Sequence, residues 1–245
     1  MYNFIKKRIN RYFPGLINRH EATLRKILVF FYKGDKVQCT ICGNRLQQFI
    51  QHHTGDLCPG RGSLGRHRRL WSVLREQVIP RPNDAILHFS PSKVIQRKLK
   101  KEFPHYTSTD YEGGLHTDKA LDITKIDEPD NTYHMIICFH VLEHITEDHK
   151  AIAELYRILK PGGKAIIQTP FKEGEIYEDF SVTDKDQRKA CFGQEDHVRV
   201  YSVEGLKERL KAGFFDVDVL SYQEDPDNRF GFKTEEYILV ARKPD

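Results

Sequence analysis

No stretch of the 245-residue sequence stays apolar over the ~20 residues that a membrane-spanning helix requires. The N-terminus lacks the apolar segment and cleavage site of a secretory signal, because basic residues interrupt it. Cysteine is scarce, and five cysteines, an odd number, argue against a disulfide framework. Internal repeats and low-complexity tracts are also missing. Together these absences favour a cytoplasmic globular protein with reduced thiols.

Neither sign of charge dominates the sequence as a whole, whose formal net charge is +4, but the charges are unevenly placed. Residues 1–81 contain 16 Lys and Arg against four acidic residues, whereas residues 82–245 contain 23 against 31. A basic module attracts anionic partners such as nucleic acid, although blocks of charge are more often solvated faces. We therefore expect a basic module followed by an acidic domain, and we do not expect nucleic acid as the partner.

Two short basic helices are predicted at the start of the chain, over residues 2–13 and 21–33. The second has an apolar stripe at helical spacing, formed by Leu24, Ile27, Leu28 and Phe31. A stripe flanked by basic residues suits a membrane surface, but such stripes more often pack against their own protein. We expect this stripe to pack against the protein itself.

A ribbon-like segment follows and is marked by three cysteines, Cys39, Cys42 and Cys58. Arg61 stands where a fourth cysteine would complete the two Cys-x-x-Cys turns of a zinc ribbon, and Arg cannot ligate a cation. Two arrangements stay open: zinc held by three thiolates with His52 or His53, or a ribbon held by its own packing with reduced thiols. We favour the second arrangement and assign no metal site.

Prolines around residues 80–84 predict a linker between two domains, 1–81 and 82–245, after a helix over 63–78. The second domain alternates short apolar runs with amphipathic segments. Strands are predicted over 85–89, 105–109, 120–123, 134–139, 164–169, 214–222 and 235–241. Helices are predicted over 94–102, 148–159 and 202–212. Residues 172–196 are polar and aperiodic, which is typical of a long loop at an active site.

The most regular part of the second domain is residues 131–171, a strand, a helix and a second strand joined by short turns. Pro161-Gly162-Gly163 ends the helix and permits a tight turn. A strand–helix–strand unit of this kind makes parallel strands with a right-handed crossover. Ligands of such sheets bind beyond the carboxyl ends of the strands, so the residues that follow each strand are the candidate site.

Four predicted strands end in polar residues that would share one edge of the sheet, namely Ser90, Asp110, Asp122 and His140. A nucleoside ligand there needs a carboxylate for its ribose diol, which Asp110 supplies. An amino-acid or phosphate tail needs free N–H groups at a turn into a helix, which residues 90–93 supply. The adenine needs an apolar slot with a hydrogen-bonding edge, which Asp122 and Ile123 with Leu142 would form.

At these residues the chain resembles a known family. The patterns YHMIICFHVLEHI and AELYRILKPGGKAIIQTP are similar to those of class I S-adenosylmethionine-dependent methyltransferases, in the small-molecule, ubiquinone-biosynthesis-like branch, over residues 84–242. The CxxCG and CPGxGSLGRHR segments resemble a zinc-ribbon-like module that precedes this domain in a bacterial subset. The resemblance implies a Rossmann-like α/β fold, with a seven-stranded sheet, helices on both faces and an antiparallel last strand.

The resemblance also implies a cofactor, S-adenosylmethionine, with S-adenosylhomocysteine as product. Its binding residues would be Phe89, Ser90, Pro91, Asp110, Tyr111, Asp122, Ile123, His140 and Leu142. The family's first loop is usually rich in glycine, whereas this chain has no glycine over residues 88–94. Ser is small enough to replace glycine in part, and members with the N-terminal ribbon share a Pro-containing loop, so we expect cofactor binding.

Methyl transfer from a sulfonium needs alignment of the acceptor and, for a protonated acceptor, a base. His140 and His197 are the candidate bases, because histidine titrates near neutrality. Arg188 and Arg199 are candidates for holding an anionic acceptor. The predicted function is methylation of a small molecule at a hydroxyl or carboxylate oxygen. There are two alternatives. The acceptor is RNA or another polyanion, or the chain is a non-catalytic binding protein with this fold.

Overall fold

The computed structural model describes residues 16–113, 116–223 and 225–245, which fall into two compact units. The first unit comprises the described residues up to Ile79 together with 225–233. The second comprises the described residues of 80–223 together with 234–245. Residues 225–233 thus belong to the first unit, whereas the domain boundary predicted after residue 81 assigns them to the second. The helix predicted over 2–13 lies outside the described residues.

The first unit contains two helices and a two-stranded antiparallel sheet. Its elements are α1 (Leu16–Phe31), β1 (Lys33–Gln38), β2 (Arg45–Leu46) and α2 (Gly65–Glu76). Leu24, Ile27 and Phe31 of the predicted α1 stripe are exposed. The expected packing of this stripe against its own protein is therefore not observed in the described part of the chain.

The three ribbon cysteines lie close together in two turns, each of which is closed by a hydrogen bond from a glycine amide. The amide of Gly43 donates to the carbonyl of Cys39, and the amide of Gly62 donates to that of Cys58, both at 2.8 Å. The three sulfurs lie within 4.8 Å of one another, in a group that includes no histidine. Hydrogen bonds from the Cys42 and Cys58 thiols lower the pKa of Cys39.

Arg68 is fully buried and joins the ribbon to the distant segment 225–233. Its guanidinium donates to the carbonyls of Ser63 at 2.8 Å, Asp56 at 3.1 Å and Gly231 at 2.8 Å. Its charge also lies over the ring of Phe49, 3.9 Å from the centroid. Because the buried carbonyls have this cation as their donor, Arg68 fixes the position of 225–233 within the first unit.

The second unit is built on a seven-stranded mixed sheet. The strands of this sheet are β3 (Ile86–Phe89), β4 (Tyr106–Asp110), β5 (Lys119–Ala120), β6 (Tyr133–Phe139), β7 (Leu159–Gln168), β10 (Asp216–Tyr222) and β11 (Glu236–Arg242). Two further short strands, β8 (Tyr177–Glu178) and β9 (Arg199–Val200), pair separately with each other. The order across the sheet is β10-β11-β7-β6-β3-β4-β5. Strand β11 runs antiparallel to both of its neighbours, β10 and β7, so the predicted Rossmann-like fold with an antiparallel last strand is confirmed.

Helices cover both faces of this sheet. They are α3 (Lys93–Glu102), α4 (Asp148–Ile158), α5 (Lys185–Phe192) and α6 (Val203–Ala212). Leu155 of α4 and Leu206 of α6 pack in one apolar core with Ile136 of β6. On the opposite face, Gln96 of α3 donates to the hydroxyl of Ser108 in β4 at 2.9 Å. Among the described helices, none combines the length and apolar character needed to cross a membrane.

Among the predicted boundaries that differ from the structure are those of β7 and of the long loop after it. Strand β7 begins at Leu159 and includes the predicted turn, because Gly162 donates to the carbonyl of Lys243 at 2.9 Å beside β11. The predicted loop 172–196 contains β8 and α5. Helix α5 is capped by Asp184, whose carboxylate accepts from the amide of Gln187 at 3.0 Å, and ends at Gly193 with φ of 89°. Both caps were visible in the sequence as a helix signal.

Candidate functional site

Three of the predicted strand-end residues meet at one edge of the sheet. Phe89 of β3 is in register with Thr109 of β4 and Cys138 of β6, which places Ser90, Asp110 and His140 just beyond the same edge. The amide of Ser90 donates to the carbonyl of Thr109 at 2.8 Å. The parallel strands therefore bring these polar residues together, as a ligand site of a doubly wound sheet requires.

The glycine-free first loop has a backbone conformation that glycine adopts most easily. Ser90 has a φ of 44°, and His140, at the end of the adjacent strand, has a φ of 56°. A left-handed φ is uncommon for residues other than glycine and is found preferentially at functional sites. Ser92 then forms the N-terminal boundary of α3, but its hydroxyl makes no capping bond to the helix.

We expect Ser90→Gly to change the free energy of unfolding by less than about 1 kcal/mol, because relief of the left-handed φ offsets the greater freedom of unfolded glycine. Ser90→Val should lose about 1–3 kcal/mol, since a β-branched residue tolerates this φ poorly. Urea unfolding followed by circular dichroism measures both. The exposed Ser221 of β10 serves as the control, and Ser221→Val should cost nothing. Equal losses for Ser90→Gly and Ser90→Val would contradict the conformational explanation.

The two predicted carboxylates occupy different surroundings. Asp110 ends β4, and its Oδ1 accepts the backbone amide of the exposed Tyr111 at 2.7 Å. Asp122 closes a turn, and its Oδ1 accepts the amide of Thr124 at 2.8 Å and the Thr124 hydroxyl at 2.7 Å. Asp110 lies at the carboxyl edge beside Ser90, whereas Asp122 is exposed and held by its own turn.

The apolar residues assigned to the adenine slot are buried in the hydrophobic core. Ile123 is 3 % exposed and Leu142 is fully buried, and both belong to the core cluster beneath the sheet edge. Both side chains are therefore enclosed in the apolar core next to the edge, and the adenine slot assigned to them stays a prediction. Phe89 is likewise buried, whereas Pro91 is half-buried beside the exposed Ser90.

His140 is paired with a carboxylate that the sequence analysis did not assign. Its Nδ1 lies 3.3 Å from Oε1 of Glu143, which is 1 % exposed, while the His140 side chain is 27 % exposed. Glu143 lies in a single 3-10 turn, Leu142–His144, in which residues three apart face each other. The spacing of His and Glu in HVLEH was the sequence signal for this pair.

His197 lies in the same part of the site but is buried. Its ring is edge-to-face with that of His144, with centroids 4.7 Å apart. The Nδ1 of His197 is 3.1 Å from the carbonyl of Phe192. Burial lowers the pKa of His197, which keeps the imidazole neutral. Both predicted histidines therefore lie close to Glu143, and His140 is reachable from solvent whereas His197 is enclosed.

Arg199 is not available to bind an acceptor. It is 1 % exposed, and its guanidinium contacts Glu178 at 2.8 Å, Asp148 at 3.2 Å and the carbonyl of Thr146 at 2.9 Å. The prediction that it holds an anionic substrate is therefore wrong, because its donors are used to fix the turn after β6. Arg188 donates from Nε to the carbonyl of Val182 at 2.9 Å.

Several buried polar atoms along this edge have no hydrogen-bond partner among the described residues. They are Ser92 Oγ, Thr109 Oγ1, Glu143 Oε2, Gln168 Oε1 and His197 Nε2. Buried polar atoms are nearly always paired, because an unpaired one costs about 1–3 kcal/mol. Their concentration at the carboxyl ends of β3, β4, β6 and β7 indicates a site built for a polar ligand. Thr109 and Gln168 carried no sequence signal beyond their place at strand ends.

Comparison with known sequences agrees with this geometry. The model of a family described as a methyltransferase domain matches residues 56–218. A demethylmenaquinone methyltransferase of Chlamydia trachomatis is 27% identical over 116 residues, which cover 46% of this chain and 42% of that protein. An uncharacterized protein of Methanocaldococcus jannaschii is 40% identical over 60 residues, 23% of this chain and 26% of that protein. The chain therefore spans less than half the length of these curated relatives.

Solved structures share the fold at low sequence identity. An S-adenosylmethionine-dependent methyltransferase of Archaeoglobus fulgidus superposes with a TM-score of 0.52 at 16% identity, over 75% of this chain and 96% of that chain. A 1,6-didemethyltoxoflavin-N1-methyltransferase of Burkholderia thailandensis was solved with 1,6-didemethyltoxoflavin and S-adenosylhomocysteine. It superposes with a TM-score of 0.51 at 16% identity, over 73% of this chain and 78% of that chain.

Proposed function

Because the chain belongs to the methyltransferase-domain family, we propose that it transfers the methyl group of S-adenosylmethionine to an oxygen of a small molecule. The observation that carries this proposal is the row of unpaired buried polar atoms where the parallel strands end. A ligand with a polar tail, a ribose and a reacting centre would satisfy groups spread along such an edge.

The residues of the first two strand ends fit the cofactor. The N-terminus of α3 offers backbone N–H groups and the unpaired Ser92 hydroxyl to a carboxylate. Asp110, beside it, offers a carboxylate to the ribose diol. Ser90, with its left-handed φ, lets the backbone approach the ligand closely. Pro91 and Tyr111 flank the same edge and complete the predicted contacts.

The acceptor side of the site is proposed to use His140 as the base. The bound cofactor supplies a methyl group already activated by its positive sulfur, so the protein must mainly align the acceptor and take up its proton. Glu143 orients His140 through Nδ1, which leaves Nε2 to accept the hydroxyl proton. His197 is less suited to this role, because its ring is 2 % exposed.

The chain is proposed to belong to the small-molecule, ubiquinone-biosynthesis-like branch of these methyltransferases. The names of two matched proteins denote small-molecule substrates, demethylmenaquinone and 1,6-didemethyltoxoflavin. A hydroxyl acceptor, one of the two predicted alternatives, is supported by the base–carboxylate pair of His140 and Glu143, since a hydroxyl must lose its proton. The first unit is proposed to be a degenerate zinc-ribbon-like module, supported by its two glycine-closed turns and three clustered sulfurs.

Calorimetry with S-adenosylhomocysteine tests the proposal directly, and we expect binding to the full chain. Asp110→Ala should weaken this binding by about 1–3 kcal/mol, because the ribose loses a charged hydrogen-bond acceptor. Asp127→Ala, which changes an exposed carboxylate away from the edge, is the matched control and should leave the affinity unchanged.

Each alternative has its own outcome in the same experiments. Absence of S-adenosylhomocysteine binding would leave only the non-catalytic binding protein. Binding of both S-adenosylhomocysteine and RNA, with RNA affinity that falls steeply with salt, would instead favour a polyanionic acceptor. A turnover screen across phenols, carboxylic acids and sugars identifies the small-molecule class.

A further inference from the structure

Glu143, His144 and His197 form a cluster of metal-ligating side chains in the second unit. One donor atom from each residue lies within 4.8 Å of the other two. The cluster joins two separate segments, the 3-10 turn after β6 and the residues just before β9. We propose that these three residues bind one divalent transition-metal ion.

Two of the donor residues have buried atoms that need a partner. Glu143 is 1 % exposed and His197 is 2 % exposed, and neither Glu143 Oε2 nor His197 Nε2 has a hydrogen-bond partner among the described residues. Both atoms carry lone pairs and no proton when the carboxylate is ionised and the imidazole is neutral. One cation can accept a lone pair from each of these two atoms at the same time, so that neither buried atom is left without a partner.

Both histidines are held with one nitrogen directed at an oxygen atom. The Nδ1 of His197 lies 3.1 Å from the carbonyl of Phe192. The Nδ1 of His144 lies 3.3 Å from the carbonyl of Asp196 and 3.3 Å from its Oδ2. These acceptors place the proton on Nδ1 and leave the lone pair on Nε2. Metal-ligating histidines in proteins are oriented in this way by carbonyl or carboxylate partners.

The donor set selects a class of ion. One carboxylate and two imidazoles suit Zn²⁺ and similar ions, whereas Mg²⁺ and Ca²⁺ prefer all-oxygen sites. Donors bound at 2.0–2.1 Å around zinc lie about 3.3 Å apart, so donor atoms that lie up to 4.8 Å apart must approach one another by at most about 1.5 Å on binding. Three protein ligands leave a further position for water or an acceptor oxygen. Glu143 also contacts His140, so the ion would be adjacent to the residue proposed as the base.

The cluster is chemically distinct from the three cysteines of the first unit. Thiolate ligands give Co²⁺ an intense near-ultraviolet charge-transfer band, whereas nitrogen and oxygen ligands give only the visible ligand-field bands. A Co²⁺ titration therefore separates the two clusters in one sample, without removing the buried cysteines.

The experiment is a Co²⁺ titration of the chelator-treated full chain under reducing, anaerobic conditions, followed by Zn²⁺ displacement. We expect visible ligand-field bands that are not accompanied by thiolate charge transfer. His144→Ala should weaken Co²⁺ binding at this site by 100-fold or more. Asp196→Ala should weaken it by about 10-fold, because it removes a carboxylate that orients His144. The exposed His149 of α4 provides the matched control, and His149→Ala should bind as the unaltered chain does.

The same titration contains the outcomes that would overturn the site. Bands limited to thiolate charge transfer would assign all the bound metal to the cysteines. Equal affinity of the His144→Ala variant and the unaltered chain would exclude the proposed ligand. Circular dichroism of each metal-free variant checks its folding, and the partly exposed His144 is the ligand least expected to disturb it. None of these results depends on S-adenosylhomocysteine binding, so the site and the proposed function can fail separately.

Discussion

The Arg199→Met chain is expected to lose about 3–5 kcal/mol in its free energy of unfolding. Arg199 is 1 % exposed and binds the carboxylates of Glu178 and Asp148, the latter also bound by Arg209 and the Tyr201 hydroxyl, both at 2.5 Å. Methionine fills much of the same volume but leaves buried oxygens short of a donor. Urea unfolding followed by far-ultraviolet circular dichroism measures the change.

Arg188 provides the matched control for this substitution. It was predicted together with Arg199 as an acceptor ligand, but its guanidinium contributes one hydrogen bond from Nε to the Val182 carbonyl. Arg188→Met should therefore cost less than about 1 kcal/mol. Similar losses for the two variants would show that the buried network contributes little, and that general effects of removing an arginine dominate.

The turn after β6 should also lose its fixed position when Arg199 is removed. The guanidinium donates to the carbonyls of Leu142 at 3.4 Å and Thr146 at 2.9 Å, and also to that of Ile145. These residues flank the turn that carries Glu143. Weaker binding of the acceptor by the Arg199→Met variant would therefore indicate a displaced turn. The Arg199→Lys variant should recover this affinity only in part, because lysine lacks the planar guanidinium group that donates to several carbonyls at once.

His140→Asn is expected to lower kcat by about 100- to 10,000-fold, the usual contribution of a general base. Asparagine tolerates the left-handed φ of 56° at this position but does not take up a proton. Affinity for S-adenosylhomocysteine should stay within about twofold, so the loss would belong to the proton transfer. The assay uses the acceptor that turns over fastest in the screen of phenols, carboxylic acids and sugars.

A second histidine supplies the control for the base assignment. His149 is exposed on α4, and His149→Asn should leave kcat unchanged. If His140→Asn keeps full activity, then the acceptor loses its proton elsewhere, and His197 becomes the remaining candidate. If it instead loses S-adenosylhomocysteine affinity in proportion to kcat, His140 would be a cofactor contact and not a base.

The sheet and its ligand edge could be predicted from the sequence because both depend on local patterns. Residues 135–139 of the predicted strand 134–139 are all apolar, as a strand buried on both faces requires, and they lie in β6. The residues after such strands share an edge by geometry, so Ser90, Asp110 and His140 could be identified before any contact was known.

The parts that were missed depend on burial and on distant partners. Glu143 received no role from its position in the sequence, and Arg199 was predicted to hold an acceptor, because charge alone does not reveal that a side chain is enclosed. The depth at which Leu142 and Ile123 lie in the core cluster was likewise not visible in the sequence. Segment 225–233 has no local pattern that links it to Arg68.

The hydrogen bond from Arg68 to Gly231 spans 163 positions in the sequence, which has a consequence for synthesis of the chain. Ribosomes add about 5–20 residues per second, so the nascent first unit waits roughly 8–30 s for its last segment. During that interval the Arg68 guanidinium lacks two of its final acceptors, the carbonyls of Phe230 and Gly231. The N-terminal unit is therefore completed only after most of the sheet of the second unit has been made, so the usual order of folding from the N-terminus does not apply to it.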